Sequence, residues 1–483
     1  MIYNYKRSFN CILVASIFVM AGCKAYQPVV TPALKNVPDS FVIATSDTVG
    51  IADVQWRNFF ADSLLVSLID TALLNNPDLQ IAMQRIEAAK AIVRRAKGAF
   101  LPSVNAVAST GIDKFGNYTM NGVGNFDTNF SENIDKDRTI PYPVTPDFFL
   151  GLRSNWEIDL WGKLKNSKKA AASRLLASEK GRQFIVTSLV ADIASGYYNL
   201  LALDNQLKII QRNIKYQQDA LDIVRVMKET GRATQLAVQQ FQAQLYNTQS
   251  FEYSTKQEIV QVENSMNYLL GRYPQSIARD SNTLNSTLPS IINAGIPATL
   301  LTRRPDVQQA SLELEATKFD VAAAKAASLP SLTITPYLGL NAFKANLLLN
   351  TGSVAYGIIG GLTAPLLNKK ELYASYKLAG ANQQEAFYRF QQSLINSFTE
   401  VHTGLNDIEN KRHMQQLKSK EVEELRSGVS SANDLYVAGY ASYLEVITAQ
   451  KSVLQAEFEL NDTRKDVFVA LIQLYRALGG GWQ

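Results

Sequence analysis

Histidine and cysteine are scarce in this chain, and their scarcity excludes most catalytic and metal-binding chemistry. The 483 residues contain two histidines and two cysteines. The histidines, His402 and His413, lie on one predicted helix, where their spacing separates them by about 16 Å along the axis, too far to share a metal ion. The sequence contains no phosphate-binding loop, nucleophile elbow or metalloprotease helix. We therefore predict that the protein is not an enzyme, and that it has no metal site and no catalytic residues.

A strong excess of charge of one sign is also lacking. The formal net charge is +5 over the whole chain. A protein that neutralises nucleic-acid phosphates normally carries a much larger or more clustered positive charge. We therefore predict no nucleic-acid partner.

The amino terminus has the pattern of a lipoprotein signal peptide. Lys6 and Arg7 precede the apolar run 12–20, which is far shorter than the roughly 20 residues that span a bilayer. Small residues then lead into Cys23, as in a bacterial lipobox. We predict a signal peptide at residues 1–22 and a covalent lipid on Cys23, with no other cofactor. An ordinary signal peptide that is cut nearby is the alternative.

The distribution of the cysteines supports lipidation. Cys11 lies within the signal, so the mature chain keeps Cys23 alone, and an unpaired thiol is unusual in an oxidising compartment. The next residue, Lys24, is not the aspartate that is associated with inner-membrane retention in some bacteria. We therefore predict sorting to the outer membrane, with residues 23–52 as an extended linker behind the lipid anchor.

The rest of the chain is an internal duplication. Pro77-Asp78 and Leu101-Pro102 recur, each 228 residues later, as Pro305-Asp306 and Leu329-Pro330. Gly439 similarly follows Gly231 by 208 residues. A fixed offset over such distances predicts two structural repeats. We assign them to 53–272 and 304–483, joined by a connector at 273–303.

Each repeat contains two segments of alternating polarity, which predict strands near 103–115 and 148–160, and near 331–343 and 354–366. Their length suits tilted transmembrane strands. Four strands cannot close a barrel, and lipid does not tolerate open edges. The alternatives are a small soluble sheet or a barrel shared by several protomers, and the lipobox with the flanking helices favours the barrel. The segment between the first two strands, 116–147, is predicted to be a long loop.

Long helical hairpins complete each repeat. Residues 163–229 contain no proline, and apolar residues recur with a mean spacing of 3.5, which predicts a coiled coil. The glycines Gly231 and Gly439 mark the predicted reversal points of two αα-hairpins. Glu445 lies one turn past the second tip among apolar neighbours. It is either a functional carboxylate or a solvent-facing residue of the helix.

The motifs of this chain resemble those of the TolC-like outer-membrane efflux proteins, in particular the lipidated outer-membrane factors of tripartite, resistance-nodulation-division type pumps. The most specific motifs are 300–307 (LLTRRPDV), 159–163 (DLWGK), Gly439 with 442–446 (SYLEV), and 478–482 (LGGGW). The resemblance implies an α+β membrane protein that forms a homotrimer. Each protomer would give four strands to one twelve-stranded β-barrel, and the coiled-coil hairpins would form a long periplasmic α-barrel.

The family further implies a passive exit duct with two protein partners. It would conduct substrates from an inner-membrane transporter, through a periplasmic adaptor, across the periplasm and the outer membrane. The implied adaptor-docking positions are at the two tips, at Gly231, Arg232, Gly439 and Tyr440. The alternatives are the outer-membrane component of a type I protein secretion system, or a lipoprotein coiled-coil spacer or adaptor without a pore.

The resemblance also implies a periplasmic gate, because many members carry a ring of acids just inside the tips. Here the first matching position is Glu445, whereas the second is Thr448, which cannot act as a carboxylate. The cargo is open at this stage, since a duct lined by generic polar residues selects mainly by size. Drugs, metal ions and secreted proteins all remain candidates.

Overall fold

The computed structural model describes residues 28–30, 32–36, 38, 51, 54–60, 62–280, 303–365 and 368–482. The predicted signal peptide, Cys23 and residues 281–302 of the predicted connector lie outside the described residues.

The described residues form long helices and four strands. In chain order these are α1 (Trp56–Phe59), α2 (Ser63–Asn75), α3 (Pro77–Gly98), β1 (Ser103–Asp113), α4 (Met120–Phe130), β2 (Thr145–Ile158), α5 (Lys163–Glu229), α6 (Gln235–Leu269), α7 (Pro305–Ala326), β3 (Ser331–Ala342), β4 (Val354–Thr363), α8 (Lys369–Ala438) and α9 (Tyr443–Ala477). Single 3-10 turns occur at Lys136–Arg138, Ala345–Leu347 and Thr351–Ser353.

The chain divides into two compact units, which we name the sheet unit and the helical unit. The sheet unit comprises the described parts of Met1–Ala33, Val93–Ala171 and Glu315–Phe387, and the helical unit the described parts of Leu34–Ile92, Ala172–Leu314 and Tyr388–Gln483. Each unit therefore takes residues from both predicted repeats. The sequence repeats are therefore not the compact units of the fold. Each compact unit is formed by equivalent segments of the two repeats.

The four strands of the sheet unit form one antiparallel sheet in the order β1-β2-β3-β4. In one layer across the sheet, Ala108 pairs with Leu150, Leu150 with Leu340, and Leu340 with Val354. Strands β1, β3 and β4 begin at the residues where the alternating pattern predicts them. Strand β2 begins three residues earlier than predicted, because 145–147 pair with the end of β1.

The motif at 159–163 joins β2 to the long helix α5. Asp159 caps the helix, with its carboxylate accepting hydrogen bonds from Leu164 N at 3.1 Å and Lys165 N at 2.8 Å. Trp161 Nε1 donates to Pro330 O at 2.7 Å, immediately before β3. Gly162 has a φ of +76°, which favours glycine. The motif thus fixes the corner between strand and helix.

We predicted a long loop at 116–147, but this segment contains helix α4. The Thr119 hydroxyl accepts a hydrogen bond from Gly122 N at 3.0 Å and caps this helix. Phe126 and Phe130, four residues apart, pack with their ring centroids at 4.7 Å. These local contacts stabilise a helix in a stretch whose asparagines and glycines suggest only turns.

The helical unit has an extensive apolar core. Residues of α5 that were predicted to line a coiled coil, including Ile193, Leu200 and Ile210, are completely buried. Helix α5 is also the one helix within the described ranges that is long and apolar enough to cross a membrane, but 56% of its apolar window is buried inside the protein. Such burial is typical of a core helix, as the coiled-coil prediction requires.

Arg304 anchors the start of α7 in the helical unit. Its guanidinium is 4% exposed and binds the carboxylates of Asp306 and Glu400, each at 2.7 Å. It also donates to Ala477 O at 3.0 Å, which satisfies a free carbonyl at the end of α9. This contact links the Arg-Arg-Pro-Asp stretch to the end of α9, immediately before the carboxyl-terminal glycine motif.

Candidate functional sites at the hairpin tips and on the sheet

The first hairpin tip reverses the chain between α5 and α6. Arg232 N donates to Met227 O at 2.8 Å and Gly231 N to Lys228 O at 3.0 Å, which is a Schellman motif. Gly231 has a φ of +74°. The hydroxyl of Thr234 then accepts from Ala237 N at 3.2 Å and caps α6.

The second tip, between α8 and α9, repeats this backbone. Tyr440 N donates to Leu435 O at 2.8 Å, and Gly439 N donates to Tyr436 O at 3.1 Å. Gly439 has a φ of +85°. A Cβ at either tip glycine would meet no atom within 4 Å, so the backbone conformation rather than crowding requires glycine at both positions.

The predicted docking residues next to the glycines differ in their contacts. Arg232 Nη2 donates to Val437 O at 2.7 Å and so links the first tip to the last turn of α8. Tyr440 is 85% exposed. The structure therefore brings Arg232 to the second hairpin, whereas the Tyr440 ring projects into solvent.

Below the tips, the two hairpins share an apolar cluster. Its central members include Leu221, Phe241, Tyr436 and Val446. Burial raises the pKa of the Tyr436 phenol above its ordinary value. The cluster positions both tips on a common base in the helical unit.

The predicted gate residue Glu445 caps its own helix. Its carboxylate accepts a hydrogen bond from Ser442 N at 2.5 Å, as in the reciprocal capping box at a helix N-terminus. Glu445 and Thr448 are both exposed. The sequence does contain the signal for this box, because Ser442 and Glu445 have the Ser-x-x-Glu spacing. Neither of the two roles predicted for Glu445, a gate or a solvated residue, included capping.

The sheet has two chemically distinct faces. The register puts an almost entirely apolar set of side chains on one face: Val104, Ala106, Ala108, Ile112, Phe148, Leu150, Leu152, Trp156, Leu338, Leu340, Val354, Tyr356, Ile358 and Leu362. Many of them are exposed, with Ile358 at 77% and Leu362 at 67%. The opposite face is rich in polar residues and glycine, with Asn105, Asp147, Arg153, Glu157, Thr333, Thr335 and Asn341. An exposed apolar face of this size is typical of a surface that is covered by lipid or by another protein.

Both edges of the sheet are open within the described part of the chain. Strand β1 pairs only with β2, and β4 pairs only with β3. Each edge therefore presents unpaired backbone N–H and C=O groups. No cluster of three or more His, Cys, Asp or Glu side chains that could hold a metal ion occurs among the described residues.

Comparison with known sequences identifies the family. The sequence profile of the outer membrane efflux proteins matches residues 68–272 and 296–480. The chain belongs to this family. It is accordingly an efflux protein of the outer membrane. This confirms the predicted localisation and the family that the sequence motifs indicated.

Individual relatives cover almost the whole chain. The probable outer membrane lipoprotein SilC of Salmonella typhimurium is 27% identical over 97% of this chain and 98% of its own length. The cation efflux system protein CusC of Escherichia coli is 29% identical over 96% and 97%. The pyoverdine export outer membrane protein OpmQ of Pseudomonas putida is 30% identical over 98% and 97%. A solved structure of CusC superposes with a TM-score of 0.78 at 26% identity, covering 95% of this chain and all of that one.

Proposed function

We propose that three copies of this efflux protein assemble into one exit duct, with a twelve-stranded barrel in the outer membrane. The two-faced sheet with open edges carries this proposal. An apolar face suits the hydrocarbon of a bilayer, and a polar face suits an aqueous channel. Open edges are not tolerated in lipid, so β4 of one copy would pair with β1 of the next until the ring closes.

The helical hairpins would form the periplasmic part of the duct. A periplasmic adaptor would dock at the two tips, where Gly231, Arg232, Gly439 and Tyr440 lie at the ends of the hairpins. An inner-membrane transporter would supply both cargo and energy. The protein itself would be a passive conduit, without a catalytic step.

The gate would be formed by Glu445, repeated three times around the axis. One carboxylate per copy becomes a charged ring when the assembly has threefold symmetry. At Thr448, one turn further along α9, the next ring of side chains would be wider and uncharged. A covalent lipid on Cys23 would add a second attachment to the outer membrane, since several acyl chains anchor a protein stably.

We further propose that the cargo is a small solute or an ion rather than a secreted protein. The support is that two of the relatives are named for cation efflux and for pyoverdine export. A lipoprotein spacer without a pore agrees poorly with the two faces of the sheet, because soluble proteins rarely expose a large apolar face to water.

The proposal is tested by placing the same charge on each face of one strand. Leu338 lies on the apolar face of β3 and Thr335 on the polar face. An arginine that faces lipid costs about 2–4 kcal/mol per copy near the middle of the bilayer. We expect Leu338→Arg to abolish trimers in detergent extracts and conductance in planar bilayers, while Thr335→Arg retains both. Equal tolerance of the two variants, or a wild-type protein that is a monomer without conductance, would contradict the proposal.

A further inference from the structure

Arg153 stands out on the polar face of the sheet. It is the one basic residue in the four strands, which also contain three acids, Asp113, Asp147 and Glu157. Its register partners are Asn105 on β1 and Tyr337 on β3. Arg153 therefore lies five residues before the end of β2, opposite the third residue of β1.

The Arg153 guanidinium packs on the ring of Phe149, and this ring in turn packs on the backbone of the sheet. Arg153 Cζ lies 4.4 Å from the centroid of the Phe149 ring, which is a cation–π contact. Phe149 is 4% exposed although it lies on the polar face. Its ring covers two glycines, since a Cβ would come within 3.0 Å of Phe149 Cζ at Gly151 and within 2.8 Å at Gly339. The edge of Tyr337 packs beside it, with the ring centroids 6.3 Å apart.

Tyr337 has the same relation to its own neighbouring strand. A Cβ at Gly357 would lie 2.6 Å from the Tyr337 ring, so this ring contacts a glycine of the next strand, β4. The Arg153 guanidinium lies over the Phe149 ring and is exposed.

The acids on the same face do not neutralise Arg153. Glu157 binds Lys163 Nζ at 2.6 Å, and Asp147 accepts a hydrogen bond from Asn341 Nδ2 at 2.6 Å. Along the strand, these two acids are about 13 Å and about 20 Å away, respectively. Both separations exceed the Debye length of about 8 Å at physiological ionic strength. Among the described residues Arg153 forms no ion pair, so its charge is available to a ligand.

We propose that Arg153 is an anion-binding and selectivity residue of the channel wall. The proposal rests on the trimeric barrel proposed above, in which three copies form a ring of guanidinium groups inside the lumen. Such a ring attracts carboxylate, phosphate or halide groups and repels cations. The planar fork of each guanidinium binds an anionic group of the cargo in two-point contact, while Phe149 fixes the orientation of the fork.

A purely structural role for Arg153, as a cover over Phe149, makes a different prediction. In that case the loss of its charge would alter stability but not the permeating ions. The discriminating measurement is the reversal potential of the full-length protein in planar bilayers under a potassium chloride gradient. We expect Arg153→Gln to raise the permeability ratio of potassium to chloride several-fold. Arg138→Gln removes one charge per copy from an exposed turn between β1 and β2, and we expect it to leave the ratio close to that of the wild type.

A cysteine variant keeps the inference testable even if Arg153→Gln fails to assemble. Cys23 is the one cysteine that follows the predicted signal peptide, so wild-type protein treated with the same reagents gives the background. A cationic thiol reagent on Arg153→Cys should restore the selectivity of the wild type, and an anionic reagent should shift the reversal potential in the opposite direction.

The outcomes separate the two proposals. Channels in which Arg153→Gln has unaltered selectivity, or in which the cysteine is not modified from the aqueous phase, overturn the role of Arg153 alone. Wild-type protein that forms no channels overturns the trimeric duct itself. Opposite shifts with the two reagents support both.

Discussion

The two hairpin tips have the same backbone conformation but differ in their exposed side chains. Each begins with a Schellman motif around a glycine of positive φ, and each continues with a hydroxyl residue before the returning helix, Thr234 or Ser442. At the position after the glycine, however, the first tip has Arg232 and the second has Tyr440. The two copies therefore have the same glycine turn, which reverses the chain, but a different side chain directly after the glycine.

The largest difference is at the third residue of the returning helix. This position is Ala237 in the first tip, where it is 1% exposed within the apolar cluster. In the second tip it is Glu445, which is exposed and caps its helix. A carboxylate at 237 would have to be accommodated among buried apolar side chains, which is unfavourable. Packing therefore restricts the acid to the second tip, and a trimer would carry three such acids rather than six.

The shared backbone is tested by replacing both tip glycines with alanine. The left-handed conformation costs a residue with a Cβ about 1–2 kcal/mol, and because neither site is crowded, we expect the same cost at Gly231 and Gly439. Hydrogen exchange of the Arg232 and Tyr440 amides, which close the two motifs, should become about 5- to 30-fold faster in the respective variants.

Asparagine is the matched control at both tips, because it tolerates the left-handed region much better than alanine. We expect Gly231→Asn and Gly439→Asn to retain most of the native protection. If alanine is harmful at one tip and harmless at the other, the two tips do not share a backbone constraint.

The difference between the tips is tested at Glu445 with two substitutions. Glutamine can still accept the hydrogen bond from Ser442 N but carries no charge, whereas alanine loses both properties. We expect Glu445→Ala to cost about 0.5–2 kcal/mol of local stability, measured as faster exchange of the Ser442 amide. Glu445→Gln should leave that exchange nearly unaltered.

The same pair of variants decides whether the acid ring acts on ions. If Glu445 contributes to a charged constriction, both variants should reduce cation selectivity in planar bilayers by a similar amount. The expected effect of Thr448→Ala on selectivity is negligible. A change in Glu445→Ala that is absent in Glu445→Gln would assign the residue to capping alone.

The sequence predicted the periodic and local features of this fold well. Alternation located the four strands, and glycine between two periodic segments located both tips, because the physical causes of these features lie within a few residues. The helix at Met120–Phe130 was missed, since its stability comes from one cap and one aromatic pair in an otherwise turn-rich stretch. The cap at Glu445 was local and could have been predicted.

Contacts between distant segments could not be predicted in this way. The stack of Arg153 and Phe149 depends on Gly339, which lies 186 residues further along the chain than Arg153. Arg232 and Val437 are 205 residues apart. Neither pair leaves a periodic trace in one sequence, because the register of a sheet or the packing of two hairpins brings the partners together. Such contacts become visible only once the fold is known.

The smallest expected effect concerns Arg232, whose bond to Val437 O connects the two tips. An exposed hydrogen bond from a charged side chain stabilises by about 0.5–1 kcal/mol, and it satisfies a carbonyl in the last turn of α8. We expect Arg232→Gln to accelerate exchange of the Tyr440 amide by about twofold to fivefold, although the substitution lies in the other hairpin. Lys228→Gln, which removes a charge from the exposed last turn of α5, is the matched control and should have no effect there. Equal acceleration in both variants would mean that general electrostatics, and not the bond across the tips, couples the first tip to the second.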